Sequence, residues 1–277
     1  MLLPNLRKAF NVSGNFMVAI IPSTKEIKKT CSLVNKALNQ YLQQQSKIEI
    51  GRYESDSTAL INIFHAIRLL DSIIELAKKD LVLIQGALVM SRSMFEVLAK
   101  TIWILTPKQK MDSEARFVAY LRTECSFLEK WEKELKKIQN DGSHQAPILT
   151  RLSAYRKFEQ ELTLLLKSEG HDVPNSFPNV RELLKSINEE RKYLYYIFLS
   201  EYTHFSHFSS TLYQTNLGIN KEINETPNLH LWKLVFSTTW PIFELTTELF
   251  IARMGISENL YSHELKIKIE NAIKLID

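Results

Sequence analysis

The chain has 277 residues, 45% of them hydrophobic, with 35 basic and 31 acidic side chains and a formal net charge of +4. An excess this small, spread over so long a chain, excludes a dominant electrostatic affinity for nucleic acid or anionic membrane. Seven glycines and eight prolines are too sparse for the tight turns of a sandwich or barrel, so the composition points to long helices. Cys31 and Cys125 stand far apart and make neither a disulfide framework nor a zinc spacing, which fits a reducing compartment. The apolar run 16–21 is too short for a signal core, so the expected location is the cytoplasm.

Taken in order, the first 22 residues are poorly patterned. Ser23 followed by Glu26 reads as a capping box, opening a helix to about Gln45 with Ile27, Val34, Ala37, Leu38, Tyr41 and Leu42 on one side. Asp56 and Ser57 are expected to cap the next helix, where Leu60, Phe64, Ile67, Leu70 and Ile74 form a core stripe. Residues 81–105 are apolar around nearly the whole circumference and predict a central, buried helix. Its exceptions, Gln85, Arg92, Glu96 and Lys100, fall close to one line. Residues 231–254 are similar and carry Lys233, Glu244, Glu248 and Arg253. Each charge would cost roughly 2.5–3.5 kcal/mol in a bilayer, so both segments read as core helices rather than membrane spans.

Residues 111–140 predict a helix whose second half projects from the body. There the i, i+4 pairs Glu129–Lys133 and Glu132–Lys136 mark a solvated face. Asp141 and Gly142 break the chain, and Pro147 begins a helix through Leu166. The stretch 168–180, with Gly170, Pro174 and Pro178, is the richest in turn residues and a candidate functional loop. A short helix at 180–187 leads into one long helix, 188–216. A polar loop, 215–228, and two helices complete the chain, the last capped near Ser257. The expected architecture is all-α, a single bundle of seven to nine helices. It divides into an N-terminal extension (1–54), a core (55–216) and C-terminal helices (217–277).

Two polar lines stand out in these apolar settings. On 188–216, Tyr196, Ser200 and His204 stack at i, i+4 and i+8, and His207 continues them. Leu194, Ile197, Phe198 and Phe205 would supply the packing beside them. On 81–105, Arg92 and Glu96 form an i, i+4 pair. An unpaired charge there would cost several kcal/mol, so Arg92, Glu96, Ser200 and His204 are expected to meet between two packed helices. Tyr196 and His207 complete the candidate ligand-binding set. If the cluster opens to a cleft beside 168–180, Arg92 can hold a phosphate or carboxylate through its planar fork, and Ser200–His204 can be half of a nucleophile–base pair. If it is sealed, it is a structural network. Glu201, His204 and His207 lack an evident third metal ligand, and neither metal nor cofactor is expected. The aromatic run from Tyr193 to Phe208 has no interleaved basic residues and reads as core. Gly-rich phosphate loops, Gly-x-Ser-x-Gly elbows and His-Glu-x-x-His are absent.

Ser91-Arg92-Ser93-Met94-Phe95-Glu96, with the later Tyr196-x-x-x-Ser200-x-x-x-His204, resembles a bacterial family of helical proteins catalogued as a domain of unknown function. That family shares an Arg-Ser-x-x-Glu helix and a late Tyr/Ser/His helix, and the resemblance runs from about Asp56 to Ser210, taking in Phe117 and Tyr120. It implies a helical fold, no settled activity and a setting in phage defence or stress response; the function expected within that setting is a module that binds another protein or copies of itself. A second resemblance is to HEPN ribonucleases, helical bundles that pair an Arg with a His. Here the preceding arginine on that helix is Arg191, so the pair would have to be Arg92 and His204, joined through tertiary packing; that alternative is a nuclease effector.

Overall fold

The structure is a computed structural model that describes residues 20–138, 145–204, 228–256 and 260–277. Among the described residues it holds nine α-helices and no strand, an all-α bundle as the composition requires.

Helix α1 (Lys25–Gln45) is capped by Thr24, whose hydroxyl accepts from the Ile27 amide at 3.2 Å. The expected cap, Ser23, sits one residue too early to reach the third amide of the helix, and its buried hydroxyl has no partner among the described residues. Helix α2 (Glu54–Lys79) begins before Asp56. Its first amides are instead bound by the Glu114 carboxylate, at 2.7 Å from Ser55 and 3.3 Å from Glu54. A carboxylate from far along the chain thus does the capping, and Asp56 is left free for a buried ion pair. Ile67, Leu70 and Ile74 of the expected stripe are buried, whereas Phe64 is 41% exposed and Ile63, outside that stripe, takes a buried place beside it.

A short 3₁₀ turn (Leu81–Leu83) leads into α3 (Ile84–Leu105). From Ile84 onward only Ser93 of this helix is exposed, which confirms its central place. By length and composition it could cross a membrane, a property it shares with the core helices of soluble proteins. Here it packs against α2 and against α8 (Leu229–Arg253). The α8 helix supplies Trp232, Trp240, Phe236, Phe243 and Phe250 as fully buried bulk. Its buried threonines, Thr239, Thr246 and Thr247, satisfy their hydroxyls by donating to carbonyls one turn back. Helix α9 (His263–Lys274), capped by Ser262, packs on α1; Ser257 lies outside the described residues.

Helices α4 (Lys110–Ile138) and α5 (Gln145–Ser168) pair as an antiparallel hairpin. The second half of α4 is not a free projection: Cys125, Leu128 and Leu135 pack against Ile148, Leu152 and Tyr155. That contact redirects the charges. Glu132 does pair with Lys136, but Glu129 turns to Arg156 on the facing helix rather than to Lys133. Helix α6 (Val180–Ser186) opens on a capping box between Asn179 and Glu182. Asn188 then takes a left-handed φ of 59°, so the long helix expected from 188 begins only after a 3₁₀ turn, as α7 (Tyr193–Thr203). The rest of 188–216, and most of the loop 215–228, lie outside the described residues.

Both cysteines are buried and free. Burial pushes the Cys31 thiol up to about 12 and raises Cys125 as well. A raised pKa keeps the unreactive thiol at neutral and mildly alkaline pH. Ellman's reagent at pH 8 is therefore expected to leave Cys31 untouched in the native protein and to titrate both thiols in guanidinium. Rapid reaction of two thiols without denaturant would contradict this burial.

Candidate functional site

The polar line of α3 faces α7, as the pattern of Gln85, Arg92, Glu96 and Lys100 predicts. Gln85 donates to the Tyr202 carbonyl at 2.6 Å, satisfying an orphan acceptor at the end of α7. One turn pair further on, Arg92 Nε donates to Ser200 Oγ at 3.0 Å and Nη2 to the Tyr196 hydroxyl at 3.1 Å. The Arg92 guanidinium also lies 5.1 Å from the centre of the Tyr196 ring, a cation–π contact. Arg92, Glu96, Tyr196 and Ser200 are thus brought together.

His204 is not. It follows the last residue of α7, exposed, and no hydrogen bond or ion pair joins its side chain to the cluster among the described residues. The reason is geometric: each i, i+4 step on a helix drifts by about 40°, so two steps from Tyr196 move the side chain round toward the solvent face. His207, Phe205 and Phe208 lie outside the described residues. Part of the face expected to supply packing points the other way, although Phe198 does pack against the core. Leu194 is 72% and Ile197 45% exposed, while Leu199 and Tyr202 are buried. Because the polar line seats on α3, the apolar residues opposite it must face outward.

The electrostatics of the seam are uneven. Glu96 lies 2.9 Å from Lys100 and 3.9 Å from Arg92, so one carboxylate serves two cations and favours the lysine. The closer partners of Arg92 are neutral hydroxyls, which orient a guanidinium without neutralising it. Ser200 is likewise committed: its hydroxyl accepts from Arg92 and donates to the Tyr196 carbonyl at 2.7 Å. With its proton on a helix carbonyl and no imidazole beside it among the described residues, Ser200 has no base there of the kind that a nucleophile needs.

The cluster borders a cleft of about 400 Å³, lined by Glu96, Lys100, Phe177, Arg181, Tyr193 and Tyr196 among others. Its far wall is the end of the turn-rich stretch 168–180, anchored where Phe177 meets Trp103 and Tyr120 edge-on at 5.0 and 5.7 Å. Arg122 on α4 holds the same stretch through the Pro174 carbonyl at 3.0 Å. Tyr193 stacks on Tyr196 at 5.9 Å, and Arg181 lies 5.8 Å from the Tyr193 ring. Sequence reasoning missed Phe177, Arg181 and Tyr193 as site residues. Only Phe177 left a signal, as an aromatic side chain inside a proline-rich turn.

Two further charged groups lie elsewhere. Asp56, Arg253 and Lys110 form a buried cluster where α2, α4 and α8 meet. His171 Nδ1 stands 2.8 Å from Asp112 Oδ1 and ties the loop after α5 to α4. Among the described residues no three His, Cys, Asp or Glu side chains group closely enough to hold a metal ion.

By class the chain is an all-α helical bundle, and its described residues hold an arginine between tyrosine and serine hydroxyls of a neighbouring helix. The chain belongs to the family described as "Family of unknown function (DUF5677)", whose match covers residues 56–221, from α2 through α7. Every member of the seam falls within that span. No curated protein and no solved structure matches the chain, so the resemblance to HEPN ribonucleases gains nothing from these comparisons.

Proposed function

We propose that the protein is a cytoplasmic bacterial binding module whose α3–α7 seam and adjoining cleft hold an anionic group, a phosphate or carboxylate, of a ligand or partner protein. A defence or stress system is the setting that the family resemblance suggests. One observation carries this reading: Arg92 is held by neutral hydroxyls while its carboxylate is drawn to Lys100, leaving surplus positive charge beside an open cleft. Nε and one Nη2 proton of Arg92 are spent on the two hydroxyls, so its remaining guanidinium N–H groups, with Lys100 in the cleft lining, are the donors available to an oxyanion.

Calorimetric titration with pyrophosphate tests it. Arg92→Gln is expected to weaken binding about tenfold or more, in line with the loss of a charge-assisted contact of roughly 1.5–3 kcal/mol. Lys100→Gln, at a half-buried side chain outside the clamp, checks that the loss does not require collapse of the seam. Equal affinity in wild type and both variants would remove the reading. The alternative, a HEPN-like nuclease, needs His204 to act with Arg92. If expression of the wild type is toxic and both Arg92→Ala and His204→Ala abolish the toxicity while remaining folded, the nuclease reading replaces the binding one.

A further inference from the structure

We infer that the cleft takes a nucleoside phosphate, a single ligand with a ring, a sugar and a phosphate; this rests on the anion-binding reading above and names its ligand class. The cleft combines three chemistries that a bare anion does not need. First, it presents cations at two of its edges, Lys100 and Arg181, with Arg92 behind Tyr196. Second, it offers aromatic rings, Tyr193, Tyr196 and Phe177, and a stacked pair of tyrosines forms part of its lining. Third, it contains the Glu96 carboxylate, still 28% exposed.

The Glu96 carboxylate pairs with Lys100 at 2.9 Å and more loosely with Arg92 at 3.9 Å, which leaves part of its hydrogen-bonding capacity open in the lining of the cleft. It is well placed to accept hydrogen bonds from the hydroxyls of a ribose, the use to which dinucleotide-binding proteins put an acidic residue. The rings give a planar base a stacking surface that requires no particular sequence of hydrogen bonds. The cations then take the phosphate. The cleft volume of about 400 Å³ falls within the roughly 300–1,000 Å³ usual for small-molecule sites.

The ring surface is reachable. Arg181 covers Tyr193 and, among the described residues, is held by Glu190 at 3.2 Å, in a pair whose side chains are 65% and 46% exposed. Such an exposed pair contributes little and opens readily. When Arg181 swings to a phosphate, the same movement bares the Tyr193 face for a base.

The test titrates the full chain with adenosine monophosphate, ribose 5-phosphate and inorganic phosphate by calorimetry. Adenosine monophosphate is expected to bind at least about fivefold tighter than ribose 5-phosphate, the low end of what one stacked base contributes. Tyr193→Leu should bring it down to the ribose 5-phosphate level and leave ribose 5-phosphate itself unchanged. Glu96→Gln removes a charge that repels phosphate, so inorganic phosphate should bind at least as tightly while both sugar phosphates lose affinity relative to it, which keeps the proposal testable should Tyr193→Leu fail to fold. Equal binding of adenosine monophosphate and ribose 5-phosphate overturns the nucleoside proposal and leaves the anion reading standing. Binding of none of the three, with pyrophosphate also silent, overturns both.

Discussion

Arg253→Met is expected to cost about 3–5 kcal/mol, the range for removing one partner of a buried ion pair. Asp56 is 1% exposed and Arg253 7%, with Nε 2.6 Å from Oδ1. The same guanidinium reaches the carbonyls of Leu105 and Pro107 at 3.4 and 3.2 Å, at the exit of α3. Truncation therefore strands a buried carboxylate and removes a donor from two carbonyls at once. Lys110 remains 3.1 Å from Asp56, but that lysine is 40% exposed and offsets only part of the loss. The double variant Asp56→Leu/Arg253→Met is expected to be more stable than Arg253→Met alone, because no buried charge is then stranded and the lysine released, Lys110, reaches solvent. Urea midpoints at an unchanged slope are the measurement. A loss under about 1 kcal/mol for Arg253→Met would show that the pair is worth no more than a surface bridge.

The second large effect is at Trp232. Its side chain is fully buried, and its indole N–H donates to the Leu81 carbonyl at 2.9 Å. Trp232→Ala is expected to cost about 3–5 kcal/mol, as cavity-forming aromatic truncations do. The neighbouring Trp240 is equally buried, but its N–H has no partner among the described residues. The conservative pair separates the two contributions. Trp232→Phe orphans a carbonyl and should cost about 1–3 kcal/mol more than Trp240→Phe, which removes an unsatisfied donor. Equal losses in thermal or urea unfolding would mean that the Leu81 bond contributes nothing.

The periodic parts of this fold were legible in the residues, and so was half of the site. A helix as apolar as α3 with one polar line needs a polar partner, and Tyr196 with Ser200 was the available one; Arg92 meets both. His204 failed for a reason that spacing arithmetic conceals, since the i+8 position has rotated away from the line that i+4 still holds. The α7 face bearing Leu194 and Ile197 was misread because apolar residues were assumed to face inward. Once the polar line is fixed on α3, that assumption cannot hold. Asp56 was misassigned as a cap because nothing local reveals that Glu114 takes that duty and that Arg253 claims the aspartate. Long-range polar pairing of this kind leaves no periodic trace.

The Asp56–Arg253 pair also has a consequence for how the chain is made. Helices α2 and α3 leave the ribosome early, yet the helix that covers them, α8, begins only at Leu229, well over a hundred residues after α3 ends at Leu105. At roughly 5–20 residues per second, the interval is on the order of ten seconds. Throughout it Asp56 lacks Arg253, and the faces of α2 and α3 destined for Trp232, Phe236 and Phe243 lie uncovered. The core closes by long-range contacts made late, so the nascent chain presents an apolar surface to chaperones throughout that interval.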